Sequence, residues 1–485
     1  MQLAGSWLIW NAIALTSFLV SWRFAHEAVS RRSVVRRNYD RIEGMSIPHE
    51  PTRAAAAFAS RDFRRYQLAR LLVIIGAEAQ AVAVAWQIYA ITHQAIDLGY
   101  AGLALFLPGI LFLLISGHTA DRYDRRHIIL VCYSLQCLCT GTLFYLSWIG
   151  TQHVAALFAV LFLVGTGRSF SGPASSALLP HLVPKGDFVN AVSWGASIFQ
   201  LANFVGPALG GLLFTLPLLR WLPSPIGKHL AGGSIVYAVT LLTLFVFLFL
   251  LASLSVRPGR QEQRAISAET LLAGFRYMWH KKLLLGVTTL DLFAVLLGGA
   301  VALLPIFAEN ILHSGPTGLG ILRAAPALGA LCISVLMTWR PMSHHAGVRM
   351  LFSVAIFGAA TVVFGLSRNM ALSLAALFIV GAADMVSIIV RSSMLQLATP
   401  QAMRGRVSAV NALFIGASNE FGSFESGVTA QWWGAVPAVV IGGVGAIAVT
   451  VAWSVMFPAL RKVNQLSEHE LLGAETEAAT SEPHN

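Results

Sequence analysis

Gly117-His118-Thr119-Ala120-Asp121-Arg122-Tyr123-Asp124-Arg125-Arg126 crowds charges of both signs into one short segment, between two long apolar runs. The runs, 99–117 before it and 128–149 after it, are each about 20 residues, the length a helix needs to cross roughly 30 Å of hydrocarbon. A polar connection this short between two such runs reads as a tight turn at a membrane surface. Outward from it the pattern repeats along the whole chain. Splitting at charged or Pro/Gly-rich breaks predicts spans at 67–91, 99–117, 128–149, 153–172, 190–216 and 232–255. A polar stretch, 257–282, follows, and then come 283–308, 317–339, 349–366, 370–390, 407–430 and 436–457. The expected fold is an all-α membrane bundle of twelve helices, six plus six.

Composition agrees. Of 485 residues, 56% are hydrophobic and only 11% charged, with a mean hydropathy of +0.69, well outside the mix found in soluble domains. A membrane barrel needs segments of about ten alternating residues, and none is sustained. The net charge of +11 is spread over alternate loops: Arg61, Arg64, Arg65 and Arg70; Arg122, Arg125 and Arg126; Lys185; Arg257 to Lys282; Arg340 and Arg349; Arg404 and Arg406; Arg461 and Lys462. The intervening loops hold chiefly Arg220, Lys228 and Arg368. This is the positive-inside asymmetry, which places both ends of the bundle in the cytoplasm and accounts for the charge without nucleic acid. Cys132, Cys137, Cys139 and Cys332 have neither zinc-site nor disulfide-framework spacing and read as buried apolar thiols.

The halves resemble each other in one ungapped register. A shift of 216 pairs Leu161 with Leu377, Phe162 with Phe378, Gly165 with Gly381, Ser171 with Ser387 and Pro184 with Pro400. It continues through Asn203 with Asn419, Gly206 with Gly422 and Gly211 with Gly427. Helices four and five thus recur as ten and eleven. Parallel repeats of this kind suit two bundles rocking about a midplane site. The domain boundaries that follow are an extension over 1–60, a first bundle over 61–256, a linker over 257–282, a second bundle over 283–460 and a polar tail over 461–485. The apolar segment 3–20 is either an extra helix or lies upstream of a true start at Met45; both remain open.

The loop string resembles the signature of the major facilitator superfamily, with Asp124 standing where that family usually has glycine. The resemblance implies a gating turn, Gly117, Asp121, Arg122, Asp124, Arg125 and Arg126, whose charges latch one conformation of the two bundles; a plain solvated loop is the alternative. The matching second-half loop, 339–347, is degenerate. Gly206-Pro207-Ala208-Leu209-Gly210-Gly211 resembles the helix-five string of drug:proton antiporters in that superfamily, through Gly206, Pro207, Gly210 and Gly211. Helix packing alone would explain it equally. Arg61-Asp62-Phe63-Arg64-Arg65-Tyr66, Asp291-Leu292-Phe293, Arg404-Gly405-Arg406-Val407 and Phe424-Glu425-Ser426-Gly427 resemble the bacterial branch that contains the enterobactin exporter. That resemblance implies efflux of a siderophore or amphiphilic drug across the bacterial inner membrane, with proton antiport leading and proton-coupled uptake as the alternative; a non-transporting receptor or scaffold is the third reading, and it leaves the charges within the spans without purpose.

Charges inside spans are costly and ask for a purpose. Glu78 lies in helix one, Asp291 in helix seven, and Arg168 and Asp384 occupy equivalent positions of helices four and ten. In this fold those four helices are expected to line the central cavity. Arg168 and Asp384 are therefore expected to pair across it or to bind substrate charge, with Glu78 and Asp291 as candidate proton acceptors. Glu420 and Glu425 in helix eleven read as structural. No nucleophile, metal triad or acid/base pair clusters at an interface, so an enzyme is disfavoured. No Gly-x4-Gly-Lys-Ser/Thr string occurs, so neither nucleotide nor other cofactor is expected. The expected partners are a small-molecule substrate, protons and lipid, with the protein acting as a monomer.

Overall fold

The computed structural model describes residues 56–215, 232–254, 268–339 and 345–464, and these are helical with short turns. The first half comprises α1 Arg61–Thr92, α2 Ala95–Leu111 with its continuation Leu113–Arg122, α3 Arg125–Trp148, α4 Val154–Leu178, α5 Phe188–Thr215 and α6 Gly233–Ala252. A linker helix, Ala268–His280, leads to the second half. There α7 is Lys282–Leu297, prolonged by short helical turns through Ile311, and α8 is Gly315–Trp339. The last four are α9 Ala346–Leu366, α10 Met370–Leu397, α11 Gln401–Trp433 and α12 Ala435–Met456. The 1–55 part of the predicted extension, residues 216–231, residues 255–267 including the first part of the predicted linker, the loop residues 340–344 and the 465–485 tail lie outside the described residues.

Ten of these helices are long and apolar enough to cross a membrane. The two remaining spans fall short for physical reasons. Pro108 lies inside α2, and the helix breaks at Phe112 into pieces of 17 and 10 residues. In α11, Arg404, Arg406, Glu420 and Glu425 dilute a 33-residue helix. Side chains fix several starts: Ser60 accepts from the Phe63 N–H, Asp124 from Arg126, and Asn369 from Ala371 and Leu372. Apolar side chains such as Leu138, Phe245, Phe249 and Val455 stand exposed on the flanks, as lipid-facing surfaces require. Cys132, Cys137 and Cys139 are buried, whereas Cys332 is exposed on α8; outward-facing apolar residues of a membrane helix need no protein cover.

The internal repeat has a packing basis. Gly165 on α4 lets the helix close against the Leu105 backbone of α2, and its counterpart Gly381 on α10 does the same against Pro326 of α8. Gly206 on α5 meets Ile75 and Glu78 of α1, as Gly422 on α11 meets Val295 and Leu296 of α7. A methyl group at any of these positions would collide with backbone, which is why glycine recurs at the same register.

The halves touch along two seams. In one, Gly211 of α5 packs against Pro316 and Gly320 of α8, and the Thr215 and Thr317 hydroxyls lie 2.6 Å apart. In the other, α2 meets α11: Gly99 against Phe424, Tyr100 against Phe424 with centroids 5.7 Å apart, and Phe106 against Phe421 at 5.9 Å. Asn310 also donates to the Tyr89 hydroxyl at 2.6 Å. These contacts lie between mid-depth and the end of the bundle opposite the linker helix. The space between the facing helices of the two halves is the groove.

Candidate functional site

Two charged constellations occupy the membrane interior, one in the groove and one within the second half. In the groove, Glu78 on α1 lies 3.9 Å from Arg323 on α8, each side chain a little under one-third exposed. The α5 string positions this contact. Gly206 brings α5 against the Glu78 side chain, Gly210 against Ala79, and Gly211 against Gly320, one turn from Arg323. The structure thus gives the predicted helix-five motif a place at the junction of α1, α5 and α8. Glu420 on α11 lies beside Gly102 of α2 and feels the charges of both Arg168 and Arg323. Arg168 itself is exposed on α4. Two carboxylates and two guanidiniums, one of each from either half, therefore share the mid-depth of the groove.

The second constellation is an ion pair between Asp291 of α7 and Arg391 of α10, with Oδ2 and Nη1 2.6 Å apart and both side chains no more than 6% exposed. Asp384 and Ser387 stand two turns and one turn before Arg391. With Asp291 they line a small cavity completed by Ala294, Val295, Val354, Phe357 and Ala383. Asp384 is half-buried, and the charges acting on it are those of Asp291 and Arg391.

Of the four residues singled out from sequence, Glu78 and Arg168 thus lie in the groove, while Asp291 and Asp384 lie together in the second half. Arg168 and Asp384 share a repeat register but not a partner. The position equivalent to Arg391 in the first half is Ser175, hydrogen-bonded to Tyr66 of α1. Sequence reasoning missed Arg323 and Arg391, and read Glu420 as structural. Ending the tenth span at residue 390 left Arg391 outside it by one residue. Both arginines carried the same signal as the acids, a charge within an apolar span.

The loop joining α2 and α3 is stitched to its own half. Arg126 donates to the Leu254 carbonyl at 3.0 Å and to that of Ala252 at 2.5 Å, and Arg65 donates to Ser253 at 2.9 Å. Together they cap the end of α6. Arg125, almost fully buried, lies 2.9 Å from His181 Nε2 beyond α4. Asp124 caps α3 and Arg122 is exposed, while the side chain of Asp121 is outside the described residues.

A family model described as "Transmembrane secretion effector" matches residues 52–481. The chain belongs to this family of major facilitator transporters. Relatives of this chain with curated names include the Enterobactin exporter EntS of Shigella boydii serotype 18, 29% identical over 402 residues, covering 80% of this chain and 86% of that one. The Enterobactin exporter EntS of Escherichia coli O1:K1 is 28% identical over 400 residues with the same coverage. Among solved structures, a bacterial homologue of the human lysosomal transporter Spinster in an inward-facing, occupied conformation superposes with a TM-score of 0.64 at 16% identity, covering 82% of this chain and 97% of that one. A bacterial homologue of the iron transporter ferroportin in an inward-facing state gives 0.61 at 18% identity, covering 81% and 98%. These establish the facilitator fold. As a facilitator the chain is a multi-pass membrane transporter and not an enzyme.

Proposed function

We propose that the protein exports a small aromatic or amphiphilic anion, of the siderophore or drug class, from the bacterial cytoplasm by proton-driven alternating access. The observation that carries this reading is the meeting of Glu78 from one half with Arg323 from the other, with Arg168 and Glu420 near enough to act on the same cluster electrostatically. The basic loops gather at the linker end, so positive-inside topology makes that end cytoplasmic, with both ends of the bundle there and the inner membrane as the location. Cargo would then enter from the cytoplasm, contact charges of both halves, and leave when the seams at the far end part. Arg168 and Arg323 suit an acidic group, and Tyr100, Phe106, Phe421 and Phe424 on the α2–α11 seam suit aromatic rings. The relatives named as enterobactin exporters support the same direction and cargo class. The family's fold needs no second copy to complete this groove, so a monomer is the transporting unit.

The test is accumulation of a panel of siderophores and amphiphilic drugs in cells expressing the protein, with and without a proton gradient. Lower accumulation that is abolished by collapsing the gradient supports the reading. Faster uptake on expression would replace export with symport.

A further inference from the structure

The linker helix, Ala268–His280, presents three unlike faces. Gly274 and Met278 form the packed one: a Cβ on Gly274 would lie 2.7 Å from the Arg406 carbonyl oxygen of α11, and Met278 is 1% exposed. Leu272, Phe275 and Trp279, at i, i+3 and i+7, form a second stripe that is apolar and open, at 66%, 41% and 60% exposure. The Phe275 and Trp279 rings lie together with centroids 5.7 Å apart, and Phe275 also meets Phe414 of α11 edge-on at 6.3 Å. Arg276 and His280, one turn apart, are exposed on a third face. With about 3.6 residues per turn, the apolar stripe falls between the packed face and the basic one.

An open apolar stripe on a membrane-spanning helix faces lipid tails, but this helix is not a span. It is 13 residues long, too short to cross. Lys281, extended at φ −106° and ψ 94°, breaks it from α7, which begins at Lys282. The stripe therefore sits where a span enters the bilayer, at headgroup level. The charge there has one sign: residues 272–282 and 401–419 contain Arg276, Lys281, Lys282, Arg404 and Arg406 and no acid. Leucine and aromatic side chains on one face with basic ones on the next suit a helix lying in the interface of an anionic bilayer. A protein partner would have to displace the headgroups to reach the same stripe.

We propose that the linker helix is a binding element for anionic phospholipid in the leaflet at the linker end of the bundle. Leu272, Phe275 and Trp279 lie among the upper acyl chains, and Arg276 takes a headgroup phosphate through its planar fork. Arg404, two residues before Arg406 on α11, adds to the positive potential. Because Gly274 and Met278 hold the same helix to its neighbours, lipid bound at the stripe stabilises the packing of the linker on the second half. The assignment rests on the chain spanning a membrane, not on the direction or cargo of transport.

The test uses the full-length protein in nanodiscs of phosphatidylcholine, with or without phosphatidylglycerol. In a Cys332→Ser background, which removes the exposed native thiol, a nitroxide is attached in turn at Leu272→Cys, Trp279→Cys and His280→Cys. Its collisions with oxygen, which concentrates in lipid, are compared with those of a water-soluble nickel chelate. With phosphatidylglycerol present, the oxygen-to-nickel ratio is expected to be severalfold higher at 272 and 279 than at 280. Equal ratios would place the stripe in water, and protection from both reagents would place it under protein, a second copy included; either result overturns the proposal. If Trp279→Cys does not yield folded protein, position 272 decides alone. The headgroup contact is read on unlabelled protein. Adding phosphatidylglycerol is expected to raise the melting temperature of wild type by several degrees and that of Arg276→Gln by clearly less. Equal rises in the two, or no rise in wild type, would overturn the assignment to anionic lipid.

Discussion

Asp291 of α7 and Arg391 of α10 form an ion pair that joins two helices of the second half, at 2.6 Å and almost fully buried. Removing one member of such a pair strands the other, at a cost of about 3–5 kcal/mol, whereas removing both costs far less. Arg391→Gln is therefore expected to melt at clearly lower temperature than wild type. Adding Asp291→Asn should recover most of the loss. A double variant no more stable than Arg391→Gln would show that the two residues are not coupled.

Glu78 and Arg323 behave differently because their contact is long, at 3.9 Å, and partly exposed. Screened pairs of this kind are worth about 0–1 kcal/mol. Arg323→Gln should leave the melting temperature close to that of wild type while lowering export at least roughly tenfold, the cost of about 1.4 kcal/mol of lost interaction with cargo. A large fall in stability with unchanged transport per folded molecule would reassign Arg323 to packing.

The fold was legible because lipid imposes it: only a run of about 20 apolar residues can cross with its backbone satisfied. The repeat register was legible because Gly165 and Gly381, or Gly206 and Gly422, face the same steric demand in each half. The site was legible only as a set of costly charges. Which charge meets which depends on how α7 and α10 are rotated toward each other, and the repeat misleads there. Register equates Arg168 with Asp384, yet Arg391 stands where the first half has Ser175, and that one difference gives Asp384 a neighbourhood Arg168 lacks.

Gly211 sets how closely the halves approach at the end opposite the linker helix. A Cβ there would lie 2.6 Å from the Pro316 carbonyl oxygen and 2.8 Å from the Gly320 Cα, with no flexible side chain to yield. Gly211→Val should therefore destabilise the closed seam and shift the population toward conformations open at the far end. With Thr317→Cys as reporter beside that seam, labelling by a membrane-impermeant maleimide added at the far side should rise severalfold in Gly211→Val. Unchanged labelling would mean that α5 and α8 do not separate during the cycle.

Arg126 ties the α2–α3 loop to the end of α6 through the Leu254 and Ala252 carbonyls. The planar guanidinium spans both acceptors, and a lysine ammonium presents a single point charge. Because the site is partly exposed, the two hydrogen bonds are worth about 1–2 kcal/mol together rather than their buried value. Arg126→Ala should lower the melting temperature by a few degrees, and Arg126→Lys should recover only part of it. If the loop also latches the halves at the linker end during the cycle, transport per folded molecule falls further than stability does. Proportionate losses of the two, measured on the same purified preparations, would confine Arg126 to holding the first half together.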